Sequence, residues 1–187
     1  VEDHLLRALK EGMGDRKVIE APPLDLPEAQ EPFIGIIGLS DFHWGKYADA
    51  GETGSDYNRK IAKRRLFSAT EKVMSLVTRL GRPEKLILPI GSDFLHVDNQ
   101  NGSTTSGTPQ DMDGSPAEML VTACQLMEEW IRGLQQIAPV ELVLMSGNHD
   151  RMLGLALLLY LEAVFRGDEK ILCQLDRTPR VYRKYGK

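Results

Sequence analysis

The sequence predicts an α/β fold with a parallel sheet, on three observations. Three short apolar runs, Phe33–Leu39, Lys85–Ile90 and Val140–Met145, have the length and density of strands buried on both faces. Longer stretches with apolar residues at helical spacing lie between them. Each run stops abruptly in polar residues: Ser40-Asp41-Phe42-His43, then Gly91-Ser92-Asp93, then Ser146-Gly147-Asn148-His149-Asp150. Ligands of open α/β sheets gather beyond the carboxyl ends of the strands. The three endings are therefore the candidate site.

Taken in order, Glu2–Met13 predicts a short helix with Leu5, Leu6 and Leu9 on one stripe, ended by Gly14. Val18–Pro32, rich in Pro and acidic residues, predicts a linker. Residues 1–32 thus form a helix and linker, either the tail of something upstream or a packed N-terminal arm, and 33–187 the domain. Phe33–Leu39 is the first buried strand. Asp41 and His43 follow at alternate positions, which on an extended segment point to the same side. Trp44–Tyr57 is a Gly-rich loop, and its Lys46 is either a solvated lysine or a phosphate contact.

Asn58–Leu80 predicts a helix with Ala62, Leu66, Ala69, Val73, Leu76, Val77 and Leu80 as its apolar stripe. Lys60, Lys63, Arg64 and Arg65 at its start read as a wet face, with contact to a nucleic-acid backbone as the alternative. Lys85–Ile90 is the second strand. Pro89 inside it suggests a bulge. Asn99–Pro116 is polar and long enough to be either a lid over the site or disordered. Ala117–Ile137 predicts a helix that buries Leu120, Val121, Cys124, Met127, Trp130, Ile131 and Leu134. After the third strand, Arg151–Phe165 predicts a helix apolar nearly all round and so well buried. Ile171–Leu175 and Arg180–Tyr185 predict two more short strands.

Composition sets the bounds. A length of 187 residues fits one domain, enough to bury roughly 70% of the unfolded chain's surface. The net charge of -4 excludes a generally basic nucleic-acid coat but leaves room for a local basic groove. Cys124 and Cys173 sit inside apolar patterns and read as reduced core residues. With no apolar run long enough to span a bilayer and no signal peptide, a cytoplasmic location is expected and no membrane partner. The start at Val1 and the abrupt Tyr185-Gly186-Lys187 end suggest a piece of a longer protein.

Parallel strands with helical crossovers bring their carboxyl ends to one sheet edge. There Asp41, His43, Asp93, Asn148 and His149 offer mixed oxygen and nitrogen donors. That mixture suits Mn, Fe, Zn or Ni better than Ca or Mg. Asp150 or Asn148 as a helix cap, with His149 merely solvated, is the structural alternative for the third ending.

The order Asp41-x-His43, Gly91-x-Asp93, Gly147-Asn148-His149-Asp150 resembles the calcineurin-like metallophosphoesterases, from about Phe33 to the C-terminus. The resemblance implies a metallophosphoesterase-type sandwich of β-sheets flanked by helices, incomplete here at its C-terminus. It implies two divalent metal ions, Mn foremost, with Asp41 and His43 on the first, Asp93 bridging and Asn148 on the second. It gives His149 a catalytic role at the scissile phosphate or leaving oxygen, with Asp150 orienting and charging it. Two cations about 3.5–4 Å apart clamp both oxygens of an in-line displacement.

Gly91-Ser92-Asp93-Phe94-Leu95-His96 with Asn99 is similar to the second motif of SbcD-type DNA-repair nucleases, which makes His96 a partner of His149 at the phosphate. An ordinary loop histidine is the alternative. The stretch His96–Asp113 also looks like predicted phosphoesterases of phages and prophages. The family pattern places further histidines after its Gly-Asn-His. This sequence has His4, His43, His96 and His149 and none beyond, which suggests truncation first, with a second site built differently or a loss of catalysis as the alternatives.

The function expected is hydrolysis of phosphodiester bonds, foremost in DNA. The alternatives are an esterase of small phosphorylated molecules and a non-catalytic phosphate-binding module.

Overall fold

The computed structural model describes residues 26–175, Thr178 and residues 180–186. The helix expected at Glu2–Met13 and the start of the linker lie outside the described residues. Four parallel strands run in sequence order: β1 (Ile34–Ile36), β2 (Lys85–Gly91), β3 (Val140–Met145) and β4 (Ile171–Gln174). Parallel neighbours require crossover connections. These are α2 (Arg59–Val77, continued by a 3-10 turn at Thr78–Leu80), α3 (Pro116–Leu134) and α4 (Arg151–Val164). A single-turn α1 (Ala50–Thr53) lies in the loop after β1. No helix among the described residues is long and apolar enough to cross a membrane.

The core forms against one face of the sheet. Leu86, Leu88 and Ile90 of β2 and Val140, Leu142 and Leu144 of β3 join one cluster with Met127, Trp130 and Ile131 of α3 and Leu157, Leu158 and Leu161 of α4. Period-two alternation sends these strand residues to one side. Helix α3 starts where its sequence says it should. Ser115 caps it by accepting from the Glu118 N–H, and Pro116 takes the first turn. On the intervening strand positions Glu141, 2% exposed, is gripped by Lys85 and Arg183. Burial alone would raise its pKa, but hydrogen bonds from the two cations hold it below the usual carboxylate range.

Several expectations change. Phe33–Leu39 is not a strand buried on both faces: β1 is a short edge strand, and Ile36 is 67% exposed. The stripe on α2 buries Ala62 and Leu66, while Ala69, Val73, Leu76 and Leu80 lie exposed, and Ala69 and Val73 line an open groove with Ile37 and Leu39. Helix α4 is buried on one side only, with Met152 and Leu159 exposed. Arg180–Tyr185 makes no strand. Arg183 there is held by side-chain bonds to Glu141 and Gln174 instead.

Pro89 produces no bulge, since the β2–β3 register runs unbroken from Leu86↔Val140 to Gly91↔Met145. Ile37 N–H donates to the Ile87 carbonyl, so odd-numbered positions of β2 turn their backbone toward β1. Pro89 comes after β1 has ended, where a missing N–H breaks no ladder bond.

Candidate metal centre

Two strand-end turns build the site. After β1 the chain runs beside the turn after β2, joined by Asp41 N–H to Ser92 O, His43 N–H to Asp93 O and Trp44 N–H to Phe94 O. Asp41, His43, Ser92 and Asp93 all have φ between 50° and 64°. Four side-chain-bearing residues in the left-handed region concentrate backbone strain there. The segment carrying Asp41 and His43 is therefore not extended, and alternation does not bring them together. The turn does: Asp41 Oδ1 lies 3.8 Å from His43 Nε2.

Three imidazoles converge at this edge. His43, His96 and His149 each offer a ring nitrogen, all within 4.8 Å of one another. Nδ1 of His43 and Nδ1 of His96 are 3.3 Å apart. His149 packs edge-on against His43, with ring centroids 4.6 Å apart. The His149 Nδ1 lies 2.8 Å from the His96 carbonyl, which can only accept, so Nδ1 carries the proton and Nε2 a lone pair. Ligating histidines are commonly fixed this way, one nitrogen on a carbonyl and the other free for a cation. The donor set therefore fits a divalent transition metal, and the Asp41 carboxylate stands 3.8 Å from His43 as one oxygen donor.

Burial works against charging two of the three rings. His96 is only 4% exposed, and its pKa is pushed down to about 4, first by burial and then by the His43 and His149 rings. His43 is lowered by burial and by His149, against an upward pull from Asp93 and Asp41. The folded pKa of His96 lies below its ordinary 6.5, so its contribution to stability is complete above pH 6.5 and is lost as pH falls through about 4. In metal-free protein, His96→Gln is expected to flatten the decline in melting temperature between neutral pH and pH 4. Parallel melting profiles for the two proteins would contradict this.

The remaining expected residues take varied places. Asp93 sits between the turns, and its Oδ1 accepts the His149 N–H at 2.7 Å. Asn148 is exposed, and its carbonyl accepts from Thr105 N–H. Asp150 does not orient the His149 ring, a task that falls to the His96 carbonyl. Its carboxylate, 1% exposed, accepts from the N–H groups of Asp93 and Leu95 and so holds the second turn. Burial raises its pKa to about 6 even though those two bonds lower it. Gly147 is required by close approach: a Cβ there would lie 2.2 Å from Asp93 Oδ1.

The sequence reading missed Asp98. The side chain of Asp150 makes no cap bond to α4; Asp98 Oδ1 accepts instead from Met152 N–H at 2.7 Å and Leu153 N–H at 2.8 Å, while Oδ2 takes the Thr105 hydroxyl. Its only signal was position, an acid opening a long polar loop. That loop is held by internal hydrogen bonds. Asn99 bonds Ser103, Thr104 N–H donates to Thr108 O, and Asp113 N–H to Gly45 O. Asp98→Ala is expected to cost about 1–2 kcal/mol by uncapping α4. Urea unfolding measures this, and an unchanged midpoint would argue against it.

No protein family, no curated protein and no solved structure matches the chain.

Proposed function

We propose that the protein is a metal-dependent phosphoesterase of the metallophosphoesterase type, acting on phosphodiester bonds and foremost on DNA. The observation that carries this reading is the convergence of His43, His96 and His149 at the carboxyl edge of a parallel sheet, with Asp41 and Asp93 beside them. The metal would be held by the three imidazoles and Asp41. A second cation would depend on Asp93 and Asn148. A bound divalent cation supplies Lewis-acid stabilisation of charge developing on a phosphoryl group.

The chain's own residues do the rest. Asp93 aligns the backbone of His149, and the His96 carbonyl fixes its tautomer. With the proton held on Nδ1, His149 Nε2 can ligate or accept a proton. It acts as a donor to a leaving oxygen only after Nε2 is itself protonated. Asp150 keeps the Asp93 turn in its strained conformation.

Exposed Lys60, Arg64 and Arg65 on α2 support a nucleic-acid substrate. A groove of about 970 Å³ runs beside Lys60 and Arg64 and is floored in part by Trp44. Lys63 and Arg59 are already paired with Glu129 and with Asp113 and Glu118, so they add less.

The test is cleavage of labelled single-stranded or nicked DNA by the Mn-loaded protein, alongside small phosphate esters and a chelated control. Metal-dependent cleavage of DNA alone supports the reading. Cleavage of the small esters alone moves the substrate to small phosphorylated molecules. Metal-loaded protein that hydrolyses neither is a binding module and refutes the reading.

A further inference from the structure

Against the histidine cluster lies a cavity of about 250 Å³, lined among others by Asp41, His43, Lys46, Thr53, Ser55 and Tyr57. Its size is below the roughly 300–1,000 Å³ of pockets for drug-sized ligands, so it suits one small group. Lys46 is half-buried, and no ion pair among the described residues includes it. Its charge is felt by both His43 and His96. The backbone pins it, since Lys46 N–H donates to His43 O and Lys46 bridges to Met112.

The hydroxyls that line the cavity have a definite polarity. The Tyr57 hydroxyl donates to the Phe42 carbonyl, and the Thr53 hydroxyl shares its one proton between the Asp49 and Ser55 carbonyls. With their protons committed, both oxygens present lone pairs to the cavity. They are acceptors, and the group that fits them carries hydroxyl donors.

We propose that this cavity is a sugar-phosphate subsite. Lys46 holds the phosphate oxygens next to the histidine cluster, and Thr53 and Tyr57 accept from the hydroxyls of the attached sugar. The assignment rests on the phosphoesterase reading and adds to it a chemical class of substrate. Such a group comes either from the terminal nucleotide of a nucleic-acid strand, where a sugar hydroxyl is free, or from a free sugar phosphate.

Calorimetric titration of the Mn-loaded full chain with inorganic phosphate, deoxyribose 5-phosphate and a dithymidine phosphodiester tests it. Lys46→Met is expected to weaken phosphate and sugar phosphate alike, by about tenfold or more, as for loss of a charged hydrogen bond. Thr53→Val is expected to weaken the sugar phosphate by about threefold or more and leave inorganic phosphate unchanged, with Thr53→Ser restoring it. Tighter binding of the dithymidine ester than of deoxyribose 5-phosphate, still dependent on Lys46, supports a nucleic-acid source. The reverse order with the same dependence supports a free sugar phosphate.

Binding of all three probes unaffected by Lys46→Met, in protein whose melting temperature is unchanged, overturns the subsite even if hydrolysis is seen. Lys46-dependent binding without hydrolysis by the parent protein supports the subsite and removes the catalytic reading.

Discussion

Asp93→Ala is expected to remove bound divalent metal and phosphodiester hydrolysis together. Three effects coincide at this carboxylate. It lies between the turns that carry His43 and Asn148. Its charge raises the pKa of His43, which would otherwise fall further. Its Oδ1 accepts the backbone N–H of His149, so the substitution also frees the segment that positions that ring.

The loss should exceed the roughly 10–100-fold typical of removing an outer partner of a ligand. Asp41→Ala should cost less, because the Asp41 side chain is 78% exposed and stands 3.8 Å from His43. Metal content by elemental analysis and cleavage of labelled DNA, each on protein with a native circular dichroism spectrum, make the comparison. Full activity with intact metal in the Asp93 variant would refute the centre.

The largest loss of stability is expected from Gly91→Ala. Gly91 ends β2 with φ 97°, and a Cβ there would lie 2.1 Å from the Met145 carbonyl oxygen. That oxygen accepts the Ser92 N–H at 2.7 Å, the bond that holds the end of β2 against the end of β3. The substitution thus combines left-handed strain with a backbone collision that no rotamer relieves. The expected cost is about 3–5 kcal/mol, a large part of the roughly 5–15 kcal/mol that holds a domain folded. Gly38→Ala is the control. Nothing lies within 4 Å of its Cβ position, so the change should stay within about 0.5 kcal/mol. Urea midpoints of the two variants settle the matter, and equal midpoints would sink the prediction.

Much of the fold was legible because two periods speak clearly. The strands β2 and β3 are dense apolar runs, and α3 carries its stripe, its Ser115 cap and Pro116 in the sequence. The readings of β1, α2 and α4 overstated burial, since apolar pattern reports what a residue can bury and not whether a neighbour arrives to cover it. Leu76 and Leu80 fit the helical stripe and still face outward. The polar strand endings were read as a site from their residue types alone. The detailed roles were not, because backbone partners do the orienting. His149 is fixed by the carbonyl of His96 and Asp150 by the N–H groups of Asp93 and Leu95.

The sequence by itself determined an α/β chain with parallel strands and polar groups at the ends of three apolar runs, because hydrophobic periodicity and abrupt turn chemistry are local properties. Only the tertiary structure decided that ring nitrogens of three histidines from distant segments come within 4.8 Å of one another. It also decided that Asp98 caps a helix more than fifty residues away. Those outcomes follow from left-handed turns and from contacts between distant segments, which no local pattern encodes.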